Sequence, residues 1–489
     1  MLYKWFLMAL ILLLFSAVSH ARDSVRLGIH LEPPMLDPTQ TPSATAGEIT
    51  YGNVFEGLFI INGEGELQPR LVYSYEVSDD GLVYTFQLRS NVRFHDSSTF
   101  DASVAQYSLE RIIAEDSNNP QRILFSNIRS IKAENSHQLR ITLAKPDAFL
   151  LYNLALPAAV MVHPNSSAHN ATQPIGTGPF SFVSWSPERS VLLERNDRYW
   201  GERPKIQSAE FVFMQTSVGT ESLLAEGLID GLLGVTRISH RFIIRPDYRM
   251  IPRNLESKMI LAINNAHPPF DDVRVRKALS HAVDRIELTT LYGPQVEPEL
   301  IGSHFSPRHP AYVDLVDYYE FNLDIARELL HEAGVESGKE IILTLPPTDY
   351  GRYGGLMIAD HLESIGFTVE LDQVDWQEWM ERVFTQRDYQ LTLILHVEPM
   401  DINIYARDDY YFNYQNKAFK DIWEQVMDAR TDEEFYQYLG KAQRQLASDA
   451  VNVFLFMRPE RNFMHRQLQG IWKNSFIPSF VLEDLYWAD

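Results

Sequence analysis

Between Gly81 and Ile113 the spacing of hydrophobic residues changes from every second position to a helical period. In the first half, apolar residues alternate with polar ones, which predicts a half-buried strand or hairpin. These residues are Tyr84, Phe86, Leu88, Val92 and Phe94. In the second half, Ala105, Leu109 and Ile112 share one helical face, and Asp101 is placed to be the N-cap. The pattern therefore predicts a strand, a polar turn and an amphipathic helix in succession.

The same patterns predict further elements in the first half of the chain. Alternation and turn residues indicate a strand at 24–30, a helix passing into a strand at 49–61, and a hairpin of 128–133 with 138–143. A strand at 209–214 and a helix at 219–225 follow.

In the second half, predicted strands alternate with predicted helices. Asp271 or Asp272 caps a helix whose apolar face runs from Val275 to Ile286. Thr431 and Glu434 form a capping box for a helix that reaches Ser448. Such alternation is typical of βαβ units and predicts a largely parallel sheet. The other elements are helices at 320–333, 355–364 and 376–384, and strands at 341–345, 367–371, 390–397 and 451–457.

The amino-acid composition excludes several kinds of partner and site. The 489 residues carry a formal net charge of −22, and an acidic surface repels phosphate backbones, so a nucleic-acid partner is not expected. Cysteine is absent, which excludes disulfides, thiolate metal sites and a lipid-modified N-terminal Cys.

The N-terminus has the pattern of a secretory signal peptide. Lys4 precedes an apolar run from Trp5 to Val18, and Ser19-His20-Ala21 places small residues for cleavage after Ala21. The run is short for a membrane span, although an uncleaved anchor stays an alternative. We expect a periplasmic protein that has no lipid anchor.

Several motifs resemble the signature of family 5 solute-binding proteins, which bind peptides or nickel for ATP-driven importers. Ser97 and Ser103 depart from that pattern, at positions that belong to the scaffold. The matching motifs are Tyr84-Thr85-Phe86, Phe94-His95-Asp96, Gly176-Thr177-Gly178-Pro179-Phe180, Tyr199-Trp200-Gly201 and VRVRKALSHAVDR. The resemblance implies an α/β, two-lobed periplasmic-binding-protein fold (type II, cluster C) that works as a hinged clamp and carries an extra small domain.

The resemblance also implies a division of the chain. The expected parts are the signal peptide (1–21), lobe I (22–50 and 172–264), the extra small domain (51–171), lobe II (265–467) and a return to lobe I (468–489). A chain that crosses between lobes at least twice has the topology that a hinged clamp requires.

Motifs for catalysis or metal binding are missing from the sequence. It has no Gly-x-Ser-x-Gly elbow and no cysteine nucleophile, and its 15 histidines show no metal-ligand spacing, so we expect neither an enzyme, a cofactor nor a protein metal site. His30 and Glu32 would share one face of a strand, but a surface pair explains them better than a metal site.

The resemblance places candidate ligand contacts after the strand at 390–397. Peptide binders of the family have a Trp, then an Asp that grips the α-ammonium group, then Asp-Pro. Leu395, Glu398 and Asp401 occupy those positions here, so the carboxylate is kept as Glu and the indole is lost. A carboxylate at the carboxyl end of a strand faces the crevice of an α/β sheet, although a solvated loop acid is the alternative.

Other expected contacts are weaker. Arg352, between Tyr350 and Tyr353, would take a ligand carboxylate, and a solvent-exposed Arg is the alternative. Leu36-Asp37-Pro38 resembles the family's first loop, which ends near the ligand cleft, so Leu36 is a further expected contact. Four aromatic residues either line the cleft or pack beneath it: Tyr405, Tyr410, Tyr411 and Phe412.

Together these features predict a monomeric binding component of an importer. We expect it to capture a peptide or similar small polar solute and deliver it to an inner-membrane permease. A nickel or other metal chelate, or an opine-like compound, is the alternative ligand.

Overall fold

The computed structural model describes residues 22–214, 223–224, 226–236, 245–293, 299–397 and 400–488. Glu398 and most of the predicted helix at 219–225 lie outside these ranges. Within them, no helix combines the length and the apolar character needed to cross a bilayer.

The strands of the described ranges include those predicted and several that the sequence pattern missed, such as Phe180–Ser186, Tyr248–Leu255 and Lys258–Ile263. They are β1 (Ser24–Ile29), β2 (Phe59–Ile61), β3 (Leu67–Pro69), β4 (Val72–Val77), β5 (Val83–Leu88), β6 (Ile128–Asn135), β7 (Gln138–Leu143), β8 (Phe180–Ser186), β9 (Ser190–Arg195), β10 (Ser208–Phe213), β11 (Gly231–Val235), β12 (Tyr248–Leu255), β13 (Lys258–Ile263), β14 (Lys339–Leu345), β15 (Phe367–Gln373), β16 (Leu391–His396), β17 (Asn452–Met457), β18 (Glu460–His465), β19 (Leu468–Gln469), β20 (Asn474–Ser475) and β21 (Tyr486–Trp487).

The α-helices are α1 (Ala44–Thr50), α2 (Ala102–Ile113), α3 (Leu150–Asn153), α4 (Val273–Ala282), α5 (Arg285–Thr289), α6 (Leu323–Glu332), α7 (Gly355–Ser364), α8 (Trp376–Glu378), α9 (Lys417–Met427) and α10 (Asp432–Ser448). Two π-helical segments, Tyr350–Gly354 and Trp379–Thr385, directly precede α7 and follow α8.

Local capping explains where the predicted helices begin. The Asp101 side chain accepts hydrogen bonds from the backbone N–H groups of Ser103 and Val104 and starts α2, as predicted. Asp272 starts α4 in the same way. The prediction that this helix extends to Ile286 was wrong, because α4 ends at Ala282 and Asp284 caps a new helix, in which Ile286 is 60% exposed.

Two large sheets form the frame of the molecule. The eight-stranded sheet has the order β20-β12-β18-β11-β1-β10-β9-β8, and the five-stranded sheet has the order β15-β14-β16-β13-β17. The five-stranded sheet is mixed and not largely parallel: β14 runs parallel to β15 and β16, whereas β13 is antiparallel to both β16 and β17. The reason is topological, because β13 brings the chain into this sheet and β17 leads it back out.

The chain changes sheet at two crossing segments, residues 256–257 and 458–459. The first joins β12 to β13 and the second joins β17 to β18, so β13 already belongs to the five-stranded sheet. This change of sheet comes before the lobe boundary predicted after residue 264. The two crossing segments are paired connections between two lobes, which is the topology that a hinged clamp requires.

A third, four-stranded sheet of order β4-β5-β7-β6 lies within residues 51–171, and α2 packs on β6 and β7. A buried carboxylate ties this part of the chain to lobe I. Glu56, with no exposed side-chain surface, accepts hydrogen bonds from Arg70 (2.7 Å), Tyr199 (2.8 Å), Trp200 (2.9 Å) and Thr177 (2.8 Å). The Tyr-Trp-Gly and Gly-Thr-Gly motifs are therefore structural, because both supply donors to one buried carboxylate.

Candidate functional site

A cavity of about 420 Å³ lies where the two large sheets meet. Its wall includes residues at or beside both crossing segments and the carboxyl ends of β1 and β11. Such a junction is a usual place for a small-molecule site. The lining residues are Ile29, His30, Leu31, Ala44, Thr45, Glu48, Leu233, Gly234, Thr236, Arg253, Leu255, Glu256, Ser257, Val397, Arg458, Glu460, Ser475, Phe476 and Pro478.

Arg253 holds the lobe I side of this cavity. Its side chain is 5% exposed and forms ion pairs with Glu48 of α1 and with Glu460, the latter at 3.5 Å. A buried guanidinium is costly unless it is paired, so the two carboxylates stabilise it in place. The Arg253 charge is thus already balanced by protein groups.

Arg458, in the second crossing segment, is less completely satisfied. Its Nη2 pairs with Glu460, but its Nε is buried and has no hydrogen-bond partner among the described residues. Burial lowers the pKa of Arg458, and the nearby Tyr292 and Tyr350 partly oppose that effect. A buried N–H donor without a partner is costly, which makes Arg458 a candidate to meet an acceptor on a bound solute.

Further polar groups complete the cavity. Glu256, in the first crossing segment, accepts a hydrogen bond from the buried Ser306 hydroxyl. His30 is within hydrogen-bond distance of the Gly234 carbonyl oxygen (3.1 Å), and burial lowers its pKa, which favours neutral imidazole. Glu32, which the sequence places on the same strand face as His30, accepts a hydrogen bond from the Trp185 indole at 2.8 Å. His30 and Glu32 therefore each have a different partner.

The predicted contact residues are spread over different places. Leu36 is fully buried in the lobe I core, and its backbone N–H donates to Ala171. Tyr350 is half-buried in the first π-helical segment, and burial raises its pKa. Arg352 and Tyr353 lie exposed on the same segment. Glu398 is outside the described residues, and Val397, the residue before it, lines the cavity.

Asp401 lies in a second polar group, beside the carboxyl end of β16. Its Oδ1 is 2.9 Å from His304 Nε2 and its Oδ2 is 2.7 Å from His396 Nε2. Burial alone would raise the pKa of Asp401, but the two histidines hold it well below its usual range. Burial and the neighbouring Lys258 lower the pKa of His304 to about 3.

A second cavity, of about 440 Å³, lies between the small domain and lobe II. Asp401 and Tyr410 belong to its lobe II wall, and Phe149 and Tyr152 to the other. In its wall, the Phe149 ring of the small domain is 5.3 Å from that of Trp423 in lobe II. The aromatic residues predicted either to line the cleft or to pack beneath it are all buried, and of these Tyr410 lines this second cavity.

The sequence patterns did not identify the charged residues of the first cavity as candidate site residues. Glu48, Arg253, Arg458 and Glu460 belong to no short motif, and 205 positions separate Arg253 from Glu48. The crossings near Arg253 and Arg458 could not have pointed to them, because the sequence placed the lobe boundaries after residues 264 and 467 and the structure has the crossings at 256–257 and 458–459.

Two lobes joined by paired crossings, with a charged cavity at the junction, define a two-lobed solute-binding protein. Residues 66–419 match the family described as bacterial extracellular solute-binding proteins, family 5, through its middle part. The chain belongs to this family, as the motifs predicted. Members of the family are extracellular or periplasmic proteins.

Known proteins similar to this chain bind different solutes. The glutathione-binding protein of Pectobacterium atrosepticum is 27% identical over 335 residues, which cover 66% of this chain and 63% of that protein, slightly less than two thirds of its length. The periplasmic binding protein DppA from Helicobacter pylori, in complex with the peptide STSA, has a TM-score of 0.80 and 21% identity, covering 96% of this chain and 99% of its own. NikZ from Campylobacter jejuni, in complex with Ni(L-His), has a TM-score of 0.78 and 20% identity, covering 95% and 99%. The two structures confirm the predicted fold.

Proposed function

We propose that this chain is the substrate-binding component of an ABC importer. It captures a peptide or similar small polar solute and delivers it to an inner-membrane permease. The observation that carries the proposal is the charged cavity at the junction of the two large sheets, with both crossing segments in its wall. A solute in that position touches both lobes.

Closure follows from this placement. A solute that contacts one lobe in the open state and both lobes in the closed state shifts the population toward closure by its difference in affinity. The crossing segments are the only backbone connections between the two sheets in the part of the chain that the structure describes. Rotation about them is the simplest motion that opens the cavity.

The cavity wall contains charged groups of both signs, of which Arg253, Glu48 and Glu460 are already paired with one another. Two guanidinium groups, of Arg253 and Arg458, face three carboxylates, of Glu48, Glu256 and Glu460. The buried Nε of Arg458 supports a carboxylate or another acceptor on the solute. We assign the ammonium of the solute to Glu398, since Val397, the residue before it in sequence, lines the cavity and Glu398 keeps the carboxylate of the family motif.

The other predicted contacts take different roles in this proposal. Tyr350, beside Arg458, is a candidate to pack on the solute, whereas Arg352 and Tyr353 lie farther out on an exposed surface. Leu36 has no exposed surface, so it supports the loop after β1 from the core. Asp401 is held by His304 and His396 in lobe II and does not line the first cavity.

A metal chelate or an opine-like compound is the second candidate solute. Leu395 and Glu398 support it, because the motif of peptide binders has Trp and Asp at these positions. A longer acid without the indole gives a pocket of different depth. We also propose that the protein releases its solute unchanged and works as a monomer in the periplasm, without a lipid anchor.

Native mass spectrometry of protein purified gently from its periplasm tests the function. We expect a complex heavier than the apoprotein by the mass of a small zwitterionic solute, and calorimetry with that solute on stripped protein should restore binding. A stripped protein that binds no co-purified solute, no member of a di- and tripeptide panel and neither opines nor nickel chelates would overturn the proposal. Turnover of the bound solute would overturn the non-enzyme assignment.

A further inference from the structure

Three metal-ligating side chains converge at the carboxyl end of β16. His396 is the last residue of β16, and His304 and Asp401 come from two loops of lobe II. Their donor atoms, one from each residue, lie within 4.8 Å of one another. We propose that His304, His396 and Asp401 form a protein site for a divalent transition-metal ion of the Zn²⁺ or Ni²⁺ type. This site does not depend on the proposed solute.

The geometry needs little rearrangement to accept an ion. Both histidines direct Nε2 at the same carboxylate, at 2.9 and 2.7 Å from its two oxygens. Metal–nitrogen and metal–oxygen bonds of about 2.0–2.2 Å would replace these hydrogen bonds if an ion took a position between the three donors. Two imidazoles and one carboxylate are a donor set that suits Zn²⁺, Ni²⁺ or Cu²⁺ better than Mg²⁺ or Ca²⁺.

The surroundings provide both rigidity and access. His304 is 1% exposed and its ring lies edge-on to those of Phe305 and Tyr405, with centroids 5.4 and 5.5 Å away. Asp401 is less buried and also lines the cavity of about 440 Å³ between the small domain and lobe II. An ion can therefore arrive through that cavity, where a water molecule can complete its coordination.

The buried side chain of Lys258 allows a competing explanation of the three residues. Lys258 is 1% exposed, its backbone is paired with that of His396, and its charge acts on His304. In the competing account, Asp401 balances the Lys258 charge and the histidines only link the two. The two accounts can be distinguished by measurement. A positive charge beside a metal site weakens metal binding, so removal of the Lys258 charge should raise the metal affinity if the site exists.

The test uses the full mature protein, stripped of metal with EDTA and of solute, and titrated with Co²⁺ and Zn²⁺. We expect one ion per chain by calorimetry and visible Co²⁺ absorption bands of a site with nitrogen ligands. His304→Asn, His396→Asn and Asp401→Asn should each weaken Zn²⁺ binding at least 30-fold. Lys258→Met should strengthen it at least threefold.

His309→Asn is the matched control, because His309 is also buried and its ring stacks on Phe305 at 4.2 Å, but it lies outside the three donors. Its Zn²⁺ affinity should stay within threefold of wild type. Circular dichroism checks that each variant folds. X-ray absorption at the zinc edge tests the site in the wild type without any variant, because the spectrum should show two imidazole ligands on the bound zinc. Absence of saturable binding to the wild type, or equal binding to His304→Asn and wild type, overturns the site.

Discussion

The backbone N–H of Arg458 donates to the carbonyl oxygen of Ser257 at 2.8 Å. This bond joins the two segments in which the chain passes between its large sheets. Because Arg458 also presents its guanidinium to the cavity, a single residue belongs to both the connection and the candidate binding site. A solute that engages its side chain therefore acts directly on the segment about which the lobes rotate.

We expect the two lobes to close when solute binds. Addition of the co-purified solute to stripped protein should lower the radius of gyration measured by solution X-ray scattering, because the lobes approach each other around it. Stripped protein mixed with the same concentration of a compound that does not bind is the control. Superimposable scattering curves at verified saturation would contradict the clamp.

Glu398→Gln should weaken solute binding roughly 30-fold or more, because loss of one member of a buried charge pair costs about 2–5 kcal/mol. The exposed Glu370 of lobe II provides a matched control, and Glu370→Gln should bind like wild type. N-acetylation of a peptide solute should weaken binding to wild type strongly and to Glu398→Gln much less. Calorimetry on the four combinations measures the coupling. Strictly additive losses would show that Glu398 does not bind the ammonium group.

Arg458→Met should weaken binding at least tenfold, because a solute acceptor loses a charged donor whose Nε is buried and has no hydrogen-bond partner among the described residues. Arg352→Met removes the same group from an exposed surface and should change the affinity less than twofold. Competition with a fluorescent solute measures both. The reverse order of effects would return the role of carboxylate anchor to Arg352.

Glu56→Gln should lower the free energy of unfolding by about 3–5 kcal/mol, as is typical when one member of a buried ion pair is removed. The change leaves Glu483 as the carboxylate partner of Arg70, beside its hydrogen bond to the Tyr199 hydroxyl, and weakens the bonds from Tyr199 and Trp200 to residue 56. Urea unfolding measures the effect. Glu64→Gln, on an exposed turn of the same domain, should stay within about 0.5 kcal/mol of wild type. Similar stability of the two variants would show that Glu56 is not a structural anchor.

Processing of the N-terminus is the last prediction. The secreted protein should begin near Arg22, because Ala21 ends the signal-peptide pattern. Edman sequencing of protein from the periplasmic fraction checks this. Membrane-bound protein that retains Met1 or Leu2 would show that residues 1–21 are an anchor.

Local elements were predictable because their causes are local. The Asp101 cap of α2, the alternation in β5 and the β6–β7 hairpin each depend on residues close together in the sequence. The motifs around Gly176 and Tyr199 identified the family. Their physical role became clear only in the structure, where both donate to the buried Glu56.

The direction of the strands and the site itself were decided by tertiary structure. Alternating strands and helices suggested a parallel sheet, but β13 and β17 must run in opposite directions because one enters lobe II and the other leaves it. Likewise, 97 positions separate His304 from Asp401, and 205 separate Arg253 from Glu48. Periodicity carries no information over such separations, because strand order and the packing of the lobes decide which distant side chains share a cavity.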